Sequence, residues 1–303
     1  MIDIMVPATS ANLGPGFDSL GIAVKIYNKF SFKNEGSVFK TKIKNIDTGQ
    51  IINLTKEDNL VYKTMKYVFD LYNQKLPGII LNEEVQVPFA RGLGSSATAV
   101  VAGVTAANYF LGDKLTCEDI IKLAVKIEGH PDNIIPAVVG GFVINIIQDD
   151  RPLYKKIKLD PGLKMVIVIP DFRLRTEKVR EVLPENIKYK DAVFNHSRTA
   201  MLTAALYDKD YTLLKSAMSD KIHQDYRADL IPGFYDVIES AYKKGALGAA
   251  LSGAGPSILT FCTDNYAKIG QTMVETFKSN NIDSKYIITE IDNNGLQLVK
   301  EGE

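Results

Sequence analysis

Residues 79–110 read as strand, tight turn, helix, and no other segment limits the fold as much. Ile79 to Val87 alternates and carries β-branched residues, which predicts a half-buried strand. Ser95 to Phe110 is rich in Ala and Val and lacks proline, which predicts a helix. Between them stands Pro88-Phe-Ala-Arg-Gly-Leu-Gly-Ser-Ser-Ala-Thr-Ala99. A helix opening out of such a turn has unpaired backbone N–H groups and a partial positive charge at its mouth, so an anion can sit there. Gly92 and Gly94 would remove side chains that block the approach of a phosphate chain. Ser95 and Ser96 can cap the helix and offer hydroxyls to a phosphate or to Mg²⁺. The bland alternative is a βα turn with a serine cap and no ligand. A Walker A loop is ruled out, because Gly-Lys occurs nowhere in the chain. Gly92, Gly94 and Ala97 formally match a dinucleotide fingerprint. That fingerprint needs a strand ending in an acid after the helix, and Leu115 to Glu128 has helical spacing instead.

With 303 residues, 46% of them hydrophobic, the chain can bury a substantial core in one large or two ordinary domains. Its 36 basic and 36 acidic residues cancel, which disfavours nucleic acid or an anionic membrane as partner. Cys117 and Cys262 are far apart without metal-ligand spacing, and both are expected reduced, in or near the core of a cytoplasmic protein. The opening Met-Ile-Asp-Ile-Met-Val-Pro has no signal-peptide character, and no apolar run is long enough for a membrane span.

Strand-like runs are expected at 2–6, 20–32, 38–43, 79–87 and 138–147, and helices at 60–72, 95–110 and 117–127. The polar, proline-containing run from Gln148 to Lys156 is the expected boundary, dividing the chain into 1–155 and 156–303. Met165 to Pro170 then reads as a buried strand. Helices are expected near 176–183, 191–206, 211–218, 234–243 and 266–279, with strands near 246–251, 257–262 and 284–291. That order predicts an α+β unit, an antiparallel sheet with helices on one face.

Two more turn-rich segments stand out. Pro7-Ala-Thr-Ser-Ala-Asn-Leu-Gly-Pro-Gly-Phe-Asp18 reads as a loop directly after the first strand. Either its Asn and Asp satisfy their own backbone, or Asn12 and Asp18 face a pocket where Asp18 can pair an ammonium group. Leu251-Ser-Gly-Ala-Gly-Pro-Ser-Ile258 reads as a turn between strands. Asn59 reads as the N-cap of the helix that follows it. His130 and Asn133 flank Pro131, which can begin a short helix. In that helix the side chain of Asp132 is expected to point away from theirs. Glu128, before Gly129, reads as a helix-end acid, and Arg180 alone as a surface arginine four residues after Thr176 on one helix face.

Together and in order, these segments resemble the small-molecule kinases named for galactokinase, homoserine kinase, mevalonate kinase and phosphomevalonate kinase (GHMP). Pro88-x-x-x-Gly92-Leu-Gly-Ser-Ser-Ala97 is similar to that family's phosphate-binding motif, and Ser252-Gly-Ala-Gly-Pro256 to its third motif. The opening segment and Glu128-Gly-His-Pro-Asp-Asn133 resemble the homoserine kinase branch. The resemblance runs from about residue 2 to about residue 290. It implies a two-domain α+β fold, with an N-terminal ribosomal-protein-like domain, a C-terminal ferredoxin-like domain and the active site in the cleft between. It also implies ATP and Mg²⁺, the side-chain hydroxyl of L-homoserine as phosphoryl acceptor, and a homodimer.

By the same resemblance, Phe89, Ala90, Arg91, Gly92, Leu93, Gly94, Ser95, Ser96, Ala97, Thr98 and Ala99 hold the ATP phosphates, with Asn59 beside the adenine. Ser96 and Glu128 would ligate the metal. Asp18, helped by Asn12, would take the acceptor's ammonium, Arg180 and Arg227 its carboxylate, and Thr176 would share the face of Arg180. His130 and Asn133 would line the hydroxyl end. Mevalonate-type relatives carry an aspartate base where Asn133 stands, so positioning without a dedicated base is expected, with His130 as base the lesser alternative. A sister kinase for mevalonate or a sugar, and an ATP-binding protein without turnover, are the rival readings.

Overall fold

The computed structural model describes residues 1–36, 38–174 and 176–300, apart from the side chains of Thr176, Glu177 and Lys300. The first half runs β1 (Ile2–Ala11), β2 (Leu20–Asn34), β3 (Lys40–Asn45), β4 (Ile51–Ile52), α1 (Leu60–Leu71), β5 (Ile79–Val85), α2 (Ser95–Phe110), α3 (Cys117–Glu128), α4 (Pro131–Val139), β6 (Phe142–Gln148) and β7 (Arg151–Ile157). The second runs β8 (Lys164–Pro170), α5 (Thr176–Glu181), α6 (Tyr189–Asp208), α7 (Leu214–Ala217), α8 (Gln224–Ala228), α9 (Phe234–Lys243), β9 (Gly248–Leu251), β10 (Ile258–Cys262), α10 (Tyr266–Ser279), β11 (Ser284–Glu290) and β12 (Gln297–Lys300).

The first sheet has the order β12-β1-β2-β5-β3-β4, with β6 on β2 and β7 on β6. Every pairing is antiparallel except β3 with β5. The register of β1 on β2 shifts between Pro7 and Ala8. Proline cannot donate to a ladder, so a bulge is its natural place in a strand. Beyond that shift β2 changes neighbours, pairing β6 through Leu20–Ile22 and β5 through Lys29–Asn34. Helix α2 is buried over most of its surface, the position that an Ala/Val helix without a polar face requires. It packs with α1, α3 and α4 on the inward residues Ile2, Ile4, Val6, Phe30 and Phe32.

The second sheet is antiparallel in the order β11-β8-β10-β9. Val166 and Val168 face α9 and α10. Met165, Ile167 and Ile169 face the other way, onto α6, α7 and the first-sheet residues Leu20, Ile22 and Val24. The two halves therefore share one apolar core. Helices on one face only was too simple an expectation, because β8 is buried on both sides and both must be covered.

Other expectations also change. β1 extends to Ala11, so the first part of the presumed opening loop, Pro7 to Ala11, is strand. The run 138–147 holds the end of α4, a Gly-Gly turn and β6. Residues 148–156, read as a linker, form the β6–β7 hairpin, which crosses the expected division at 155/156. β12 returns to pair with β1, so the second half contributes a strand to the first sheet. Cys262 is buried as expected, whereas Cys117, the first residue of α3, is exposed. Among the described residues, no helix is long and apolar enough to cross a membrane.

Candidate active site

Three turns meet where β1, the start of α2 and the β9–β10 connection come together. Thr9 N–H donates to the Leu93 carbonyl at 3.2 Å, and Ser257 N–H to the Arg91 carbonyl at 3.3 Å. Ser252 Oγ donates to the Gly92 carbonyl at 2.6 Å and lies 2.8 Å from Ser10 Oγ. Asn12 Nδ2 and Gly253 N–H complete the seam, donating to the carbonyls of Gly253 and Ala11. The glycines of the second turn serve this packing. A Cβ on Gly92 (φ +75°) would lie 2.1 Å from the Ser252 carbonyl oxygen, and one on Gly94 (φ +68°) 2.1 Å from Thr9 Oγ1. Both glycines were expected to give room to a phosphate. What they admit first is the protein itself, the Ser252 carbonyl at Gly92 and the Thr9 side chain at Gly94.

The mouth of α2 has no side-chain cap. Its N-cap is Gly94 in the left-handed region, and neither Ser95 nor Ser96 caps it, contrary to expectation. The first N–H groups of the helix are thus left to a ligand or water. Ser95 Oγ is buried with no hydrogen-bond partner among the described residues. Ser96 is exposed, and its Oγ donates to Glu128 Oε2 at 2.8 Å. A hydroxyl and a carboxylate oxygen side by side at a helix N-terminus form a donor set that fits Mg²⁺, which prefers oxygen and keeps several waters.

The remaining residues of the turn divide sharply. Leu93, Ala97 and Thr98 are buried, with Thr98 Oγ1 bonded to the Ser95 carbonyl and to Asn28. Their side chains, and that of the partly buried Ala99, face packing, so only their backbone could serve a nucleotide. Ala90 accepts from Leu174 N–H, and Arg91 reaches Asp171 at 3.1 Å. Phe89 lies exposed at the rim. Asn59 caps α1 as expected, accepting from Tyr62 N–H at 3.0 Å, while its amide donates to Glu83 at 2.6 Å. Both polar ends of that side chain therefore already have protein partners.

A second cluster joins the loop after β1 to α4, α5 and α8. Arg180 Nη2 lies 2.7 Å from Asp18 Oδ1 and 3.2 Å from His130 Nδ1. Far from a lone surface residue, Arg180 closes onto the carboxylate expected to hold an ammonium. Arg227 is 1% exposed, and its Nη1 donates to the Gly253 carbonyl at 3.0 Å. The Phe17 ring is within cation–π reach of both guanidiniums, 5.3 Å from Arg180 and 5.2 Å from Arg227. Nε of both arginines is buried without a partner among the described residues. Two guanidiniums so placed have unmet capacity for an acceptor such as a carboxylate. Thr176 opens α5, and its side chain lies outside the described residues.

Asn133 stands between the two clusters. Its Oδ1 accepts from Thr9 at 2.8 Å, beside Gly94, and its Nδ2 is 3.5 Å from Asp132 Oδ1. His130 is the N-cap residue of α4. Burial, and then the Arg180 charge, holds its imidazole below the usual range, so Nδ1 can accept from the guanidinium. Asn12, expected to face the pocket, instead braces the seam, with Oδ1 accepting Asp18 N–H at 3.0 Å.

Phe17 and Asp132 were missed by the sequence reading. Asp132 was expected to turn away, but it is fully buried within electrostatic reach of Asp18 and Arg180. Burial first, and then the Asp18 charge, pushes its carboxyl up to about 7. A Pro-Asp-Asn helix start can signal such a group, since an acid at N2 finds free N–H donors there.

The chain matches the family model "GHMP kinases N terminal domain" over residues 59–141 and "GHMP kinases C terminal" over residues 202–278. A homoserine kinase of Halothermothrix orenii is 54% identical over 299 residues, covering 98% of this chain and 96% of the relative. A homoserine kinase of Clostridium botulinum (strain Eklund 17B / Type B) is 41% identical, covering 99% of both. The crystal structure of homoserine kinase from Cytophaga hutchinsonii superposes with a TM-score of 0.85 at 32% identity, covering 98% of this chain and 97% of that one. Mevalonate kinase of Methanococcus jannaschii, at 17% identity and a TM-score of 0.69, shares the fold.

The chain belongs to the GHMP kinase family, with its two-domain α+β fold. It is a kinase, and within the family it stands with the homoserine kinases.

The Asp132 carboxyl has a consequence for stability. Its proton is held more tightly in the folded chain than at the ordinary value of 3.8, so this group's contribution falls as pH rises from about 4 to about 7. Asp132→Asn does not titrate. Its melting temperature relative to the parent is expected to rise by at least ~4 °C between pH 5 and pH 8. A difference that stays constant over that range would contradict the assignment.

Proposed function

We propose that this chain transfers the γ-phosphoryl group of ATP to the side-chain hydroxyl of L-homoserine, giving O-phospho-L-homoserine. The observation that carries this reading is the charge set Asp18, Arg180 and Arg227, with both guanidinium Nε atoms unpartnered among the described residues. One carboxylate and two forks suit a zwitterion, whose ammonium takes Asp18 while its carboxylate spans the arginines. Mevalonate or a sugar offers no ammonium and would leave Asp18 without a role. Near-end-to-end kinship with homoserine kinases supports the same acceptor.

In this reading the uncapped mouth of α2 receives the ATP phosphates on backbone N–H groups. Ser96 and Glu128 hold Mg²⁺, which when bound neutralises phosphate charge. Asn133, anchored to Thr9, places the acceptor hydroxyl beside the phosphate turn. Phosphoryl transfer proceeds through a loose transition state, so alignment and charge stabilisation do most of the work. His130 already faces Arg180, which suits orientation better than proton abstraction. Asp132 supports a second reading, because a carboxyl poised at about 7 has the proton affinity of a general base. The homodimer, the cytoplasmic location and a place in threonine synthesis belong to the same proposal, and kinship supports them.

A coupled ADP-release assay with Mg²⁺-ATP tests the acceptor. Turnover is expected with homoserine and not with mevalonate or galactose, while homoserine methyl ester should show a KM at least ~10-fold higher, the loss of one charged contact. Comparable kcat/KM for mevalonate or galactose would refute the assignment. His130→Gln is expected to lower kcat by less than ~100-fold, against the ~10²–10⁴-fold typical of a lost general base. A larger fall would make His130 the base.

A further inference from the structure

Behind Arg227 lies a buried polar network to which the reaction scheme above gives no role. Asp220, His223, Gln224 and Asn195 are all buried. The Asp220 carboxylate accepts from the backbone N–H groups of Ile222 (3.3 Å), His223 (2.9 Å) and Gln224 (2.6 Å), and from Asn195 Nδ2 (2.6 Å). Asn195 Nδ2 also reaches the Pro15 carbonyl, to which Thr199 donates at 2.9 Å. His223 Nε2 lies 2.6 Å from the Gly14 carbonyl, and its Nδ1 3.3 Å from Arg227 Nη1.

These partners fix the proton on the ring. A carbonyl can only accept, so Nε2 carries the hydrogen; a guanidinium can only donate, so Nδ1 offers its lone pair. Asp220, 3.7 Å from Nε2, is too distant to compete and is already supplied with donors. Burial, the largest influence, keeps the ring neutral and the Arg227 charge adds to it, outweighing the opposing pull of the Asp220 carboxylate. His223 thus ties the loop that carries Phe17 and Asp18 to the guanidinium of Arg227, and the Phe17 ring stacks 5.3 Å from the imidazole.

We propose that His223 is a positioning residue for the acceptor's carboxylate, its Nδ1 lone pair holding Arg227 in the orientation that receives that group. This rests on the reading that Arg227 binds the carboxylate. His223 touches neither substrate nor ATP; it acts through Arg227, while Asp220 and Asn195 hold the backbone around it.

The test compares kcat/KM for homoserine with that for its methyl ester, which lacks the carboxylate charge. His223→Gln places an amide N–H where Nε2 meets Gly14 but leaves no acceptor opposite Arg227. It is expected to reduce the homoserine-over-ester preference at least ~10-fold, mainly through the homoserine KM, with the KM for ATP within ~3-fold of the parent. His223→Asn places a carbonyl oxygen near the Nδ1 position and is expected to restore most of that preference. A general structural fault would instead depress both acceptors alike. Arg227→Gln separates the two claims: an unchanged preference in that variant would refute carboxylate binding by Arg227. A lost preference there with parental behaviour in His223→Gln would overturn the present proposal alone. Nitrogen NMR of the parent protein supplies a test that needs no variant to fold. The buried histidine should be the Nε2–H tautomer, and a protonated Nδ1 would overturn the proposal.

Discussion

The site depends on the contact among three turns that arrive from distant parts of the chain. Ser252 and Gly253 from the β9–β10 connection, Arg91 to Gly94 before α2, and Thr9 to Asn12 at the end of β1 hydrogen-bond directly to one another. Gly92 meets the Ser252 carbonyl, and Gly94 the Thr9 side chain, at separations that a Cβ would not allow. The seam fixes the mouth of α2 relative to the loop bearing Phe17 and Asp18. The groups proposed to bind phosphate and acceptor are held in register by the same bonds that join the two halves. The shared apolar core behind it, from Leu20 and Ile22 to Ile167 and Phe261, gives that seam a rigid support.

Charge is handled differently in the two clusters. At the α2 mouth the positive potential comes from aligned peptide groups, and the charged side chain bonded to Ser96 there, Glu128, is negative. In the acceptor cluster the positive charge comes from Arg180 and Arg227, and it is costly to bury. Burial and the repulsion of Arg180 push the Arg227 guanidinium down to about 10, with Asp18, Asp220 and Asp132 offsetting the effect. The Asp18–Arg180 ion pair holds the place a zwitterion would take. Such a ligand replaces one pair by two without changing the net charge of the site, so the exchange adds no buried charge.

Local features were readable from sequence because local rules decide them. The run Ser95–Phe110 could only be a buried helix, and the Gly- and Ser-rich turns before it and at Ser252–Gly255 declared themselves by composition. Asn59 was legible as a cap, yet nothing local showed that Glu83 would occupy its amide. The misreadings share a physical cause, since they turn on partners far along the chain. Residues 148–156 look like a polar linker because β7 is largely exposed and, among the described residues, pairs with β6 alone. β12 is four residues long and is defined by its pairing with β1, almost three hundred residues away. Arg180 looks like a surface residue until the loop at Asp18 is brought beside it. His223 and Asp132 carry no pattern of their own; their roles come from what packs around them.

The most direct measurement is a crystal structure with L-homoserine and a non-hydrolysable ATP analogue bound together. The account predicts the Asp18–Arg180 contact opened, the ammonium on Asp18, the carboxylate shared by Arg180 and Arg227, and the hydroxyl beside Asn133 facing the triphosphate at Ser95–Ala97. An intact Asp18–Arg180 pair with the amino acid seated elsewhere, or a triphosphate lying away from the start of α2, would contradict it.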